Sequence, residues 1–118
     1  MKGKIKVSDV TTRKYKMGNE PKLVGRDREC DVRINSFCRN VSNFHCEFGY
    51  NDGFYVRDLD SSFGTYVNQE RLEYEEKRQL KDKDIVTLVE AVDGVVIYVE
   101  IRKGLLDRLK GFIGGRDG

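Results

Sequence analysis

The chain has 118 residues, the usual size of one domain, and its net charge of +2 is too small to indicate a general binder of nucleic acid or membranes. Hydrophobic residues make up 38% and charged residues 36%, and the apolar residues are patterned, which argues against a disordered chain. Three cysteines, an odd number, and no apolar signal segment predict a reducing, intracellular location, in the nucleus or the cytoplasm.

Short runs that alternate polar and apolar residues recur about every ten residues, with turn residues between them, which is typical of β-strands. The predicted strands are 4–7, 13–17, 22–26, 31–34, 45–50, 54–59, 65–68, 84–89 and 95–101. Asn51-Asp52-Gly53 and Asp93-Gly94 each lie between two such runs and predict hairpin turns, since Gly and Asn tolerate positive φ. The charge-rich stretch 70–84 is predicted to be a solvated loop with one short strand. We therefore expect an all-β fold, an antiparallel β-sandwich.

The C-terminal segment carries the one helical pattern of the chain. An apolar stripe at helical spacing follows Gly104 and is formed by Leu105, Leu106, Leu109, Phe112 and Ile113. Gly114-Gly115 would end the helix. The pattern predicts a domain over 1–103 and a short amphipathic helix with a tail over 104–118. The helix would either pack on the sandwich or bind a partner.

Basic residues are concentrated at the N-terminus. Residues 1–28 contain nine lysines and arginines but three acidic residues. One interpretation is that these residues are the solvated faces of strands. The other is that they attract an acidic or phosphorylated partner at long range.

Three polar segments stand at the ends of predicted strands: Gly25-Arg26, Ser42 to His45 and Ser61 to Asn68. Arg26 offers a bidentate, charge-assisted grip on a phosphate. Ser42 adds a hydroxyl donor, and Asn43 adds an amide and a backbone N–H. This donor set suits the binding of a phosphate rather than its hydrolysis.

Catalytic and metal chemistry have no support in the sequence. His45 lies near Ser42, but there is no nucleophile elbow and no third group to orient the histidine. The spacing of Cys30, Cys38, His45 and Cys46 matches no zinc ligand pair. We expect no enzyme activity, no cofactor and no metal.

Taken in order, Gly-Arg, then Ser-x-x-His, then Asp-Leu-x-Ser-x-x-Gly-Thr-x-Val-Asn resemble the forkhead-associated (FHA) domain over residues 3 to 101. The resemblance implies an eleven-stranded β-sandwich of the FHA/SMAD-like kind, whose loops at one end bind phosphothreonine peptides. It places Arg26, Ser42 and Asn43 on the phosphate. The sequence of these segments is similar to that of FHA modules in checkpoint kinases and in nibrin-type proteins, which suggests signalling and the DNA damage response.

The resemblance also assigns supporting roles. It implies that His45 is a buried scaffold residue that hydrogen-bonds the recognition loop. Gly64 is predicted to take a positive φ that lets its loop approach the ligand. Thr65 and Asn68 would hold loops, and Gly25 precedes the phosphate-binding arginine.

Phe63 departs from the family pattern, which usually has asparagine before Gly-Thr. A phenyl ring has no donor, so about 1 kcal/mol of a typical net hydrogen bond to the ligand backbone is absent. Phe63 either offers an apolar wall to the peptide or weakens phosphate-dependent binding. Ser62 remains as a donor beside it. Arg39, in the loop before Ser42, would prefer an acidic side chain at the third ligand residue after the phosphothreonine.

The sequence thus predicts a phosphothreonine-peptide recognition module with a phosphoprotein partner. We expect no small-molecule substrate, nucleic acid or membrane, and a monomer or weak dimer. The alternative is an FHA-fold scaffold or self-association domain that binds partners without phosphate, through Phe63 or the C-terminal helix. A nucleic-acid binder on the basic strands is a further alternative, but the aromatic and basic signatures of such modules are missing.

Overall fold

Two β-sheets pack face to face around one apolar core in the computed structural model, which describes residues 1–90 and 94–104. This part of the chain contains eleven strands and no helix. The strands are β1 (Lys2–Ser8), β2 (Thr12–Met17), β3 (Lys22–Gly25), β4 (Val32–Arg33), β5 (Cys46–Tyr50), β6 (Phe54–Asp58), β7 (Thr65–Val67), β8 (Glu70–Arg71), β9 (Lys77–Gln79), β10 (Ile85–Leu88) and β11 (Val95–Arg102). The helix predicted for 104–118 lies outside the described residues. Within them, no helix has the length and apolar character needed to cross a membrane.

One sheet has six strands in the order β2-β1-β11-β10-β7-β8, and the other has five in the order β4-β3-β5-β6-β9. The prediction of an antiparallel sandwich is confirmed with one exception. β3 and β4 pair in parallel, with Val24 opposite Val32. Two hydrogen bonds fix this short pair: Ile34 N donates to Gly25 O at 2.7 Å, and Leu23 N donates to the Asp31 carboxylate at 2.8 Å.

The core follows from the period-two alternation of the strands. In β1, Gly3, Ile5 and Val7 are buried while the lysines between them are exposed. Successive side chains of a strand point to opposite faces, so one face of each sheet fills the interior. Other fully or almost fully buried side chains include Val24, Val32, Ile34, Val41, Phe48, Val56, Val86, Leu88 and Ile97.

The hairpin predicted at Asn51-Asp52-Gly53 is confirmed. Asp52 and Gly53 have φ of 56° and 137°, and the turn joins β5 to β6. The prediction for 70–84 was incomplete, since this stretch contributes β8 and β9 rather than one strand. Both are two or three residues long and mostly exposed, so they show no apolar alternation.

Three loops meet at one end of the sandwich: 26–31, 34–45 and 59–64. The β1–β2 turn is attached to them through Asp9. Its buried carboxylate accepts hydrogen bonds from the backbone of Asn35 and Thr11, and it pairs with Arg13 at 2.9 Å. Burial alone would raise the pKa of Asp9, but these donors outweigh burial and lower it. The carboxylate therefore stays charged and holds the turn against the loop after β4.

Candidate functional site

Arg26 begins the 26–31 loop at this end of the sandwich. It follows the last residue of β3, and its guanidinium Nε donates to the carbonyl of Val41 at 2.6 Å. Its backbone N–H donates to Ser42 O at 3.2 Å. No partner is present for its two terminal nitrogens within residues 1–90 and 94–104. The guanidinium is thus fixed on one edge and has donors left for an anion on the other.

Gly25 lets the loop before β5 approach β3 closely. A Cβ at this position would lie 2.6 Å from the carbonyl carbon of Asn43 and closer still to its oxygen. The carbonyls of Ser42 and Asn43 instead accept hydrogen bonds from the backbone N–H groups of Arg26 and Asp27. Gly25 therefore sets how near Ser42 and Asn43 can lie to Arg26.

Ser42 and Asn43 follow Val41, whose carbonyl holds the Arg26 guanidinium. The Ser42 Oγ accepts a hydrogen bond from the backbone of Ser62 at 3.2 Å, which leaves the hydroxyl hydrogen for another acceptor. The exposed Asn43 side chain has no partner in the described ranges. Its carbonyl is held by the Asp27 N–H and by the Cys30 thiol, which donates to it at 3.2 Å.

His45 is fully buried and joins two of the loops. Its Nδ1 accepts from the backbone N–H of Ser42 at 3.1 Å, so Nε2 carries the proton and donates to Gly64 O at 2.8 Å. Burial lowers the pKa of His45, although the Gly64 carbonyl and the Asp58 carboxylate act in the opposite direction. The ring is therefore a neutral tie between the loops before β5 and before β7.

Asp58 organises the 59–64 loop; it begins the Asp-Leu-x-Ser motif, but no role was predicted for it. Its carboxylate accepts from the backbone and the hydroxyl of Ser61, at 3.0 and 2.5 Å, and from the hydroxyl of Thr65 at 2.6 Å. The Ser61 hydroxyl in turn accepts from Gly64 N at 2.9 Å. The signal was available, since Asp followed three residues later by Ser is a common turn pattern.

Phe63 stands at the tip of this loop with 50% of its surface exposed. Beside it is a depression of about 440 Å³ whose lining also includes Ser62, Tyr66 and Arg71. Gly64 has φ of 91°, the positive φ expected from the sequence, and a Cβ there would lie 2.8 Å from the Arg71 side chain. The Phe63 ring of this loop and the Arg71 side chain of β8 therefore line the same depression.

Arg39 and Asn68 lie in different surroundings. Arg39 is exposed in the 34–45 loop, three residues before Ser42, and its side chain has no partner in the part of the chain that the structure describes. Asn68 lies at the opposite end of β7 from Gly64. Its side chain bonds to Asp84 and to the backbone of Ile85, both at 2.9 Å. It therefore holds the loop before β10 and not the 26–31, 34–45 and 59–64 loops, which we call the Arg26 loops.

Two further phenylalanines at this end were missed. Phe37 is 79% exposed in the 34–45 loop, and Phe44 is exposed within the Ser42 to His45 segment. An apolar ring among turn residues could have been recognised as a surface contact. Three exposed rings thus lie in the 34–45 and 59–64 loops, where the sequence identified Phe63 alone.

Cysteines and carboxylates form no metal-binding group of three or more within the described ranges. Burial raises the pKa of the Cys30 and Cys46 thiols, so both stay protonated at neutral pH. Cys30 instead serves as the donor to Asn43.

Comparisons with known proteins agree with this architecture. The model of the FHA domain matches residues 22–89. An FHA domain studied for its phosphothreonine-dependent interactions has a TM-score of 0.74 and 23% identity, covering 88% of this chain and 100% of that one. Full-length yeast Pml1p has a TM-score of 0.73 and 23% identity, covering 84% of this chain and 81% of that one. The FHA domain of CT664 from Chlamydia trachomatis has a TM-score of 0.70 and 16% identity, covering 87% of this chain and 100% of that one. At these identities the likeness is one of fold, and no curated protein matches the sequence.

Proposed function

The chain belongs to the FHA domain family, and on this premise we propose that it recognises phosphothreonine-containing segments of a partner protein. One observation carries the proposal: the Arg26 guanidinium is anchored by its Nε to the carbonyl of Val41, the residue before Ser42, and its terminal nitrogens have no partner in the described ranges. Charge-assisted hydrogen bonds to a phosphate are about twice as strong as neutral ones. The proposal agrees with the phosphothreonine-dependent interactions of the similar FHA domain.

Arg26, Ser42 and Asn43 would hold the phosphate oxygens. The guanidinium supplies the charge, while the hydroxyl and the amide supply neutral donors around it. Both ring nitrogens of the buried His45 are engaged in hydrogen bonds, so this ring has no free nitrogen to act as a base. The arrangement therefore suits binding without turnover.

Ser62, Phe63 and Arg39 would contact the peptide on either side of the phosphate. The half-exposed ring of Phe63 offers an apolar wall, and the Ser62 side chain is exposed beside it. Arg39 would favour an acidic residue three positions after the phosphothreonine, as the resemblance suggested. Discrimination against phosphoserine would come from a small apolar slot for the threonine methyl group.

Fluorescence anisotropy with a degenerate peptide library tests this function. The same sequences carry phosphothreonine, phosphoserine or unmodified threonine. We expect binding to phosphothreonine, weaker binding to phosphoserine and none to threonine. A library with no phosphate-dependent binding would refute the proposal.

Arg26→Ala identifies the residue that holds the phosphate. Loss of a charge-assisted, bidentate contact costs about 1.5–3 kcal/mol or more, so we expect affinity to fall at least tenfold. Arg28→Ala is the matched control, because Arg28 is exposed two residues further along the same loop. Equal losses in the two variants would mean that general positive charge, and not Arg26, holds the ligand.

A phosphate-independent docking role is the second candidate, and the exposed ring of Phe63 favours it. In that case, peptides would bind equally with and without phosphate, and Phe63→Ala would abolish both. Light scattering after size exclusion would show whether the occupant is a second copy of this chain. The helix proposed for the same role falls outside the described residues.

A further inference from the structure

The outward face of the six-stranded sheet is covered by lysines on β1 and β2. The outward positions of β1 and β2 are exposed and form what we call the lysine face: Lys2, Lys4, Lys6, Lys14 and Lys16. On the neighbouring β11, the outward residues are Tyr98, Glu100 and Arg102. This face lies on the opposite side of β1 from the core.

The strand register places lysines directly opposite one another. Lys4 pairs with Lys16, and Lys6 pairs with Lys14. Like charges at opposed positions of neighbouring strands are destabilising. Among the described residues, none of the five lysines forms an ion pair. Lys4 lies directly opposite Glu100 of β11, and Lys6 lies over the Tyr98 ring at 4.9 Å, so the repulsion is compensated only in part.

The charge of this face contrasts with that of the whole chain. Six cations, the five lysines and Arg102, stand against one carboxylate, Glu100, which pairs with Arg102 at 3.1 Å. The face thus has a net charge of +5, whereas the whole chain has +2. Lysines on an edge strand hinder its pairing with a strand of another chain, which explains the lysines of the edge strand β2. It does not explain those on β1, which lies between β2 and β11.

We propose that the lysine face is a second binding surface, which takes an extended acidic segment of a partner protein. Lysines two residues apart on β1 repeat at about 6.6 Å, the same interval at which alternate side chains of an extended peptide repeat. Glu or Asp at every second position would therefore match the lysines of one strand. A depression of about 200 Å³ between Lys2, Lys4, Glu100 and Arg102 gives a carboxylate room to enter.

Other anionic partners fit this face less well. Single-stranded nucleic acid needs aromatic rings on which bases stack. The exposed ring here is Tyr98, and Lys6 lies over it at 4.9 Å. Membrane-surface binding usually adds apolar residues that enter the bilayer. Among the described residues beside the lysines, the large exposed hydrophobic side chains are Met1, Ile85 and Tyr98, and each is at most half exposed, so few apolar groups are available to enter a bilayer.

Backbone NMR titration of the full chain tests the proposal with a ten-residue peptide of alternating Glu and Ser. We expect shifts in β1, β2 and β11 but not in the 26–31 and 34–45 loops. Raising the ionic strength from about 0.05 M to about 0.5 M should weaken binding at least tenfold, because exposed charges are screened. No shift at low salt, or shifts centred on the Arg26 loops, would overturn the proposal.

Charge reversal separates this surface from general attraction. Lys4→Glu with Lys16→Glu should abolish binding of the acidic peptide, and the milder Lys4→Gln with Lys16→Gln should weaken it if the first variant does not fold. Lys77→Glu with Lys81→Glu changes the net charge equally at exposed positions in and after β9, and should keep binding. Equal loss in this control would overturn the assignment.

Two further readouts decide the partner class and keep the proposal apart from the phosphate site. A ten-residue oligothymidine and vesicles with phosphatidylserine should bind more weakly than the acidic peptide. Tighter binding of either would replace the partner proposed here. The lysine-face variants should keep the affinity for a short phosphothreonine peptide whose other residues are uncharged. The Arg26→Ala variant should keep the affinity for the acidic one.

Discussion

Replacing Gly25 with alanine should force two backbone segments of the loop end apart. The new Cβ would lie 2.6 Å from the carbonyl carbon of Asn43 and 2.9 Å from the carbonyl oxygen of Ser42. Ordinary contacts begin at 3.4 Å, and the atoms met are backbone rather than the ends of flexible side chains. The Ser42-Asn43 segment therefore has to move by about 1 Å.

The cost of that movement has two parts. Overpacking of a well-packed site costs about 1–3 kcal/mol. The two carbonyls also accept hydrogen bonds from Arg26 and Asp27, and weakening each costs up to about 1 kcal/mol. We expect Gly25→Ala to lower the free energy of unfolding by about 1–5 kcal/mol. The Tm should then fall by about 4–25 °C.

The assay combines thermal unfolding with phosphothreonine-peptide anisotropy, measured well below the Tm. Displacement of Ser42 and Asn43 from Arg26 should weaken binding at least tenfold, even where the variant is fully folded. Gly18→Ala is the matched control, since a Cβ there meets nothing within 4 Å. If Gly25→Ala behaves like Gly18→Ala in both measurements, the proposed role of the close approach is wrong.

Two further expectations concern single side chains. His45 has a lowered pKa in the folded state, so the unfolded chain takes up a proton first as the pH falls below about 6.5, and stability should drop by up to about 1.4 kcal/mol per pH unit. His45 is the one histidine of the chain, so urea unfolding of His45→Gln should show a flatter profile between about pH 7 and pH 5.5; an equal slope in this variant would contradict the assignment. Phe63→Ala should weaken phosphopeptide binding about fivefold through lost apolar contact, whereas Tyr74→Ala, an exposed ring in the loop between β8 and β9, should not. An unchanged affinity of Phe63→Ala would show that the ring lies outside the peptide path.

Much of the fold could be predicted because alternation and turn chemistry are local properties. The β5–β6 hairpin follows from Asn51-Asp52-Gly53, and the buried face of β1 follows from its period of two. β8 and β9 could not be found in this way. They are strands because they pair with β7 and β6, and not because of their own residues.

In the site, too, some features could be predicted from the local sequence, and others depend on how distant segments meet. Residue types were enough to predict the positive φ of Gly64, which is confirmed. They also support Arg26 and Ser42 as phosphate donors, which stays a prediction. The reason for Gly25 could not be predicted, because it depends on a loop that approaches from 18 residues away in sequence. The turn from Asp58 to Ser61 could be predicted from the sequence, whereas the number of donors to the Asp58 carboxylate depends on the fold.

The hydrogen bond from the backbone of Ser62 to Ser42 Oγ has a kinetic consequence. It joins two of the Arg26 loops, 34–45 and 59–64, before a ligand arrives, and the Arg26 guanidinium is already held by the carbonyl of Val41. Association then needs no slow loop closure, so its rate is set by diffusion and by the attraction between phosphate and guanidinium. Peptides that share a phosphothreonine but differ in flanking residues should therefore associate at similar rates, and selectivity among them should be expressed in how long each complex lasts.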